Sequence, residues 1–200
     1  MNSLLHILGI IVCLGIAGLV ALCSGQEGLV INDIMGYNIP VIYFCIVLVF
    51  IVHLLIFIPS YLNKTEKFFD LTGSIAYLTA IGFALYFKYT ITGTIDFQSL
   101  ILALLISIWS LRLGSFLFIR ISLLGEDSRF SSIKNSFSHF LLTWMLSSLW
   151  VCLTVAPALT VLTSKITSRV DAFIYIGMIV WFFGFLFEVI ADYQKFSFKM

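Results

Sequence analysis

The chain has 200 residues, of which 61% are hydrophobic and only 10% are charged. This composition lies outside the range of ordinary soluble domains, so we predict a polytopic integral membrane protein of the all-α class. The formal net charge is +1 and no basic tail is evident, which excludes nucleic acid as an expected partner and leaves the lipid bilayer.

Six apolar windows have the length of about 17 to 25 residues that a helix needs to cross a bilayer. In chain order they occupy residues 4–23, 39–62, 71–87, 97–119, 140–163 and 170–191. Because no internal repeat separates them, we treat residues 1–200 as a single membrane domain with about six transmembrane helices.

The short connections between these windows differ in charge. Seven Lys and Arg residues fall on the side of the N-terminus, against three on the opposite side: Lys64, Lys67, Arg120, Arg129, Lys134, Lys195 and Lys199 against Lys88, Lys165 and Arg169. Since cytoplasmic loops carry the excess of positive residues, we predict that the N-terminus, the 120–138 loop and the C-terminus are cytoplasmic.

Metal binding is not expected. The four cysteines lie inside apolar stretches without a Cys-x-x-Cys pair, and the three histidines have no carboxylate or cysteine at ligand spacing.

A stripe of charged residues follows the sixth window. Glu188, Asp192, Lys195 and Lys199 are spaced at intervals of four, three and four. On an α-helix these positions fall within about 60° of one another, because each residue advances about 100°. A carboxylate at the end of a membrane helix is costly to bury, so the stripe indicates a partner or a ligand.

Two arginines near the end of the fourth window, Arg112 and Arg120, lie at different depths. Arg120 can reach the lipid headgroups, whereas Arg112 lies about two turns deeper and requires an anion. Two alternatives remain for this anion: the carboxylate of Glu188 in an intramembrane ion pair, or a ligand phosphate.

The loop that follows adds Asp127 and Arg129 on the same side of the membrane. Guanidinium and ammonium groups bind phosphates, and carboxylates accept hydrogen bonds from ribose hydroxyls or a carboxamide. Because the stripe spans about 16 Å along a helix from Glu188 to Lys199, the group has the dimensions of an extended dinucleotide site.

Four motifs occur in the order found in a known family. They are Phe-Asp-Leu-Thr-Gly-Ser at 69–74, Trp-Ser-Leu-Arg-Leu-Gly at 109–114, Asp-Ser-Arg-Phe at 127–130 and Gly-Phe-Leu-Phe-Glu-Val-Ile-Ala-Asp-Tyr-Gln-Lys-Phe-Ser-Phe-Lys at 184–199. Residues 69–200 thereby resemble the steroid 5-alpha-reductase C-terminal domain family, in its poorly characterised prokaryote-type branch.

The resemblance implies a membrane-embedded oxidoreductase that uses NADPH to reduce a carbon-carbon double bond of an apolar lipid or steroid-like substrate. It implies cofactor contacts at Glu188, Asp192 and Lys199, with Lys195 matching a basic position of this branch. Family members continue into a segment with an Arg-His-Pro-Asn-Tyr type motif, so a chain ending at Met200 is expected to be either a fragment or a shortened, inactive protein.

Other functions remain open. A membrane methyltransferase of the isoprenylcysteine type shares a similar C-terminal architecture, although the motifs at 127–130 and 192–195 favour the reductase. A truncated non-catalytic membrane protein or a transporter is the third alternative. For the reductase, Tyr77 and Tyr86 are the candidate proton donors.

Overall fold

The computed structural model describes residues 2–26, 28–34, 37–166 and 171–198. Six helices in it are long and apolar enough to span a membrane, which confirms the predicted all-α architecture. They are α1 (Asn2–Ser24), α2 (Val41–Leu62), α3 (Phe69–Thr92), α4 (Phe97–Leu124), α5 (Phe137–Leu162) and α6 (Ala172–Ser197).

Because the six helices run alternately up and down, the start of α1 and the end of α6 lie on the same side of the bundle. We call this side the terminal face; it also contains the turn 63–68 and the loop 125–136, which includes two short 3₁₀ turns. The opposite side, the sheet face, contains two antiparallel strands, β1 (Val30–Ile34) and β2 (Tyr37–Pro40). The assignment of the terminal face to the cytoplasm stays a prediction.

The two strands have no counterpart among the elements predicted from the sequence. Val30 pairs with Pro40 and Ile31 with Ile39. The N–H of Leu29 donates to the carbonyl of Thr163 at 2.5 Å, and the N–H of Val41 donates to the carbonyl of Leu29 at 2.9 Å. These bonds tie the sheet to the end of α5 and set the start of α2.

The core lies around α5, which packs against α1, α2 and α3. Near the terminal face its fully buried Trp144 is surrounded by aromatic rings, with Phe57, Phe69 and Phe140 at centroid distances of 5.4 to 5.9 Å. Two of these three contacts are close to perpendicular, as aromatic pairs prefer. By contrast, α6 buries none of its described residues and is a peripheral helix beside α4.

An ion pair joins α3 to α4 at the sheet face. The side chains of Lys88 and Asp96 are 5% and 7% exposed, and their charged groups are in direct contact. Lys88 Nζ also donates to Ser99 Oγ at 2.7 Å, while Asp96 caps α4 by accepting the N–H of Ser99 at 3.0 Å. Burial raises the pKa of Asp96, but the hydrogen bonds from Lys88 and Ser99 outweigh it and hold that pKa below its ordinary value.

Candidate functional site

The charged residues predicted from the sequence form two groups, and the deeper one joins α4 to α6. Arg112 Nη2 lies 2.6 Å from Glu188 Oε1, and Arg112 Nη1 donates to Asp192 Oδ2 at 2.5 Å. The other carboxylate oxygen of Glu188 accepts a hydrogen bond of 2.9 Å from the indole N–H of Trp109. We call these four residues the Arg112 cluster.

The cluster contains the ion pair that was one of the two alternatives for Arg112, and it adds two partners. These two partners were not predicted from the sequence. Asp192 lies one turn beyond Glu188, and Trp109 lies one turn before Arg112, so helical spacing was the signal that could have identified both. Among the described residues, Nε of Arg112 is buried without a hydrogen-bond partner. The cluster can therefore bind a further acceptor, such as water or a ligand oxygen, at that N–H.

The second group lines a cavity at the terminal face, which we call the terminal cavity. Its volume is about 540 Å³, within the range of about 300–1,000 Å³ typical of ligand pockets. It brings together predicted residues from α4, from the 125–136 loop and from α6, namely Arg120, Asp127, Arg129 and Lys195, and adds Asp70 of α3. Lys199, the eighth predicted residue, lies outside the described residues.

Three cations line this cavity, and of these only Arg129 has an ion-pair partner among the described residues. Arg129 donates to both carboxylate oxygens of Asp127: its Nε lies 3.0 Å from each oxygen, and its Nη2 lies 2.5 Å from Oδ2. Within the described ranges, Arg120 and Lys195 have no ion-pair partner; Arg120 lies 6.0 Å from the ring of Phe116. Both side chains retain hydrogen-bond donors for an anionic ligand, and the charge of Arg120 also helps to lower the pKa of Asp127.

The Asp127–Arg129 pair has a defined pH dependence. The hydrogen bond from Arg129 holds the pKa of Asp127 below its ordinary value, and the same contact raises the pKa of Arg129. The stabilisation from this pair is complete above the ordinary pKa of an aspartate and is lost as the pH falls through the lowered value. The pair therefore persists at neutral pH.

A buried carboxylate that sequence reasoning missed holds the loop in place. The side chain of Glu66, in the turn before α3, is only 4% exposed. Its Oε1 accepts the N–H of Asp127 at 3.0 Å, and its Oε2 lies 3.2 Å from Nζ of Lys134. No local pattern marks Glu66, because its partners lie 61 and 68 residues further along the chain.

Two of the sequence motifs meet at a close helix contact. Gly114 of the 109–114 motif is buried against Ser74 of the 69–74 motif, and a Cβ at position 114 would lie 2.6 Å from the Cβ of Ser74. Small residues at such contacts allow membrane helices to approach closely. The two motifs therefore fix the position of α4, and with it Arg112 and Arg120, against α3.

The two candidate tyrosines occupy different surroundings. Tyr77 is buried, its hydroxyl contacts that of Thr154, and its ring lies 5.2 Å from that of Trp109 at nearly a right angle. Tyr86 is 62% exposed on the surface of α3. Of the two tyrosines, only Tyr77 therefore lies beside the Arg112 cluster.

Residues 56–200 match a family model described as a protein of unknown function, DUF1295. The match covers well over half of the chain. The chain belongs to the DUF1295 family. This family is related to steroid 5-alpha-reductase-like proteins. The resemblance seen in the sequence motifs is therefore supported for that wider group of proteins. No curated protein and no solved structure matches this chain.

The matched region begins before Phe69, the first residue of the resemblance, and includes Glu66, the Arg112 cluster and the terminal cavity. Across the described residues of this DUF1295 chain, no group of three or more His, Cys, Asp and Glu side chains could hold a metal ion.

Proposed function

We propose that this protein is a membrane-embedded oxidoreductase that uses NADPH to reduce a carbon-carbon double bond of an apolar lipid or steroid-like substrate. The observation that carries the proposal is the terminal cavity, in which Arg120 and Lys195 lie without ion-pair partners among the described residues. Two cations that are not engaged in ion pairs suit the phosphates of a dinucleotide.

The side chains of the cavity fit the cofactor in kind. Arg120 and Lys195 supply donors to phosphate oxygens, and Asp70 and the paired Asp127 supply acceptors for ribose hydroxyls. The buried N–H at Nε of Arg112 offers a further donor, deeper in the membrane. Together these groups extend from the terminal face toward the apolar interior, where a lipid substrate would lie.

Bound NADPH would supply the hydride, which adds to one carbon of the substrate double bond and leaves NADP⁺. The other carbon then takes a proton, and Tyr77 is the better of the two tyrosines for this role. It is buried beside Trp109, so its hydroxyl is shielded from bulk water, whereas Tyr86 points to the surface of the bundle.

Cofactor binding provides the first test. The purified protein in lipid nanodiscs is titrated with NADPH, with NADH and with S-adenosylmethionine. Arg120→Ala and Lys195→Ala should each weaken NADPH binding at least tenfold, as expected for loss of a charge-assisted hydrogen bond of about 1.5–3 kcal/mol. Lys67→Ala is the matched control, because Lys67 is an exposed cation on the same face that does not line the cavity.

The outcomes separate the alternatives. Binding of S-adenosylmethionine in place of NADPH would assign the protein to the methyltransferases, and binding of neither would leave a non-catalytic membrane protein. Transfer is then tested with NADPH deuterated at the reactive carbon of the nicotinamide and a conjugated ketosteroid. Deuterium in the reduced lipid supports the proposal, and its loss in Tyr77→Phe supports the role of Tyr77.

A further inference from the structure

A groove runs between α4 and α6 in the half of the bundle nearer the sheet face. Its wider part has a volume of about 370 Å³, and its apolar lining includes Ile101, Leu102, Phe173 and Ile174. A second cavity of about 340 Å³ shares Leu105, Met178 and Trp181 with it. The two cavities are therefore neighbours along the same pair of helices, and we call them together the α4–α6 groove; along α4 the groove extends in the direction of Trp109.

One polar atom stands out in this apolar lining. Oε1 of Gln98, near the first turn of α4, is buried and has no hydrogen-bond partner within the described parts of the chain. A buried acceptor without a donor is destabilising, so an unpaired amide oxygen in a groove indicates a ligand that brings a donor. The other polar group at this end, the carboxylate of Asp171, already caps α6 by accepting the N–H groups of Phe173 and Ile174.

The surroundings of the groove restrict its occupant to lipid. Both walls belong to membrane-spanning helices, and α6 buries none of its described residues, so the groove opens sideways into the bilayer. A molecule that enters from there has an apolar body. The unpaired oxygen of Gln98 adds one requirement, a hydroxyl donor at one end.

We propose that the α4–α6 groove binds a lipid alcohol. Its hydroxyl donates to Oε1 of Gln98, and its apolar body lies along the groove toward Trp109. Since Gln98 and Trp109 are separated by 11 residues of one helix, or about 16 Å, the groove accepts a long, narrow molecule. Binding at this site can be measured without any dinucleotide, so its failure is distinguishable from failure of the proposed reductase function.

The experiment compares two photoaffinity probes that differ in a single donor. A diazirine-bearing fatty alcohol and its methyl ether are each added to the protein in phosphatidylcholine vesicles without NADPH. Peptides of α4 and α6 should be labelled more strongly by the alcohol. Gln98→Leu should lower labelling by the alcohol by about twofold to tenfold, the effect of one neutral hydrogen bond, and leave labelling by the ether unchanged.

A second pair of variants tests the groove itself. A Cβ at Gly177, which lines the groove, or at Gly184 on the same helix would meet no atom within 4 Å. Gly177→Leu should fill the groove and reduce labelling by both probes, whereas Gly184→Leu, which lies outside the lining, should not. Equal labelling by alcohol and ether in the unmodified protein, or full labelling of Gly177→Leu, would overturn the proposal.

Discussion

Replacing Arg112 by leucine should weaken the attachment of α6 to α4. Arg112 contacts both Glu188 and Asp192, and α6 has no buried residue among those described to compensate for the lost contacts. The substitution leaves two carboxylates facing each other within the membrane without a counter-charge. We expect loss of stability together with greater mobility of α6.

The magnitude follows from the exposure of the three side chains, which is 20% for Arg112, 36% for Glu188 and 23% for Asp192. Breaking a fully buried ion pair costs about 3–5 kcal/mol, and breaking an exposed pair costs about 0.2–1 kcal/mol. Two partly buried pairs together should contribute about 3 kcal/mol. For a chain of this length, that corresponds to a fall in Tm of about 6 to 12 °C.

Thermal unfolding in nanodiscs measures the effect, with Arg120→Leu as the matched control on the same helix. Arg112→Lys should be intermediate, because an ammonium group cannot bridge two carboxylates as a guanidinium does. The neutral triple variant Arg112→Met, Glu188→Gln, Asp192→Asn should recover most of the lost stability. If the triple variant is no more stable than Arg112→Leu, unpaired charge is not the cause and the reasoning fails.

Three further predictions concern contacts away from the cluster. Glu66→Ala should speed amide hydrogen exchange in the 125–136 loop at least tenfold, with Glu66→Gln intermediate; unchanged exchange would contradict its anchoring role. Lys88→Met should cost about 3 kcal/mol in unfolding free energy by leaving Asp96 buried and unpaired, and adding Asp96→Asn, which keeps the helix cap, should restore most of it. Gly114→Ala should lower Tm through a clash between α3 and α4, whereas Gly82→Ala, whose Cβ meets no atom within 4 Å, should not; equal Tm values would refute the close contact.

The six helices could be predicted because apolar length alone decides whether a segment crosses a bilayer. The C-terminal end of α3 could not be predicted from apolar length. The apolar window stops before the charge of Lys88, yet the helix continues to Thr92, because Asp96 neutralises that charge inside the protein. A hydropathy window counts Lys88 as a loop residue, since it cannot include a partner on the next helix.

The same distinction applies to the site. Depth along two helices was sufficient to name Glu188 as one of two candidate anions for Arg112, because both residues lie on long regular elements whose rise per residue is fixed. Glu66 and the two strands depend on irregular segments, whose paths are set by contacts with distant parts of the chain. The anchoring of the 125–136 loop therefore had no signal in the local sequence.

The helix α6 contributes residues to the terminal cavity, to the Arg112 cluster and to the α4–α6 groove. Lys195 lines the terminal cavity, Glu188 and Asp192 belong to the Arg112 cluster, and Gly177 lines the α4–α6 groove. Because none of its described residues is buried, apolar packing against the core contributes little to its position. The cluster lies between cavity and groove along the same two helices, so a movement of α6 relative to α4 must alter both. The strength of the Arg112 contacts therefore determines how firmly α6 is held against α4, and with it the relative position of the terminal cavity and the α4–α6 groove.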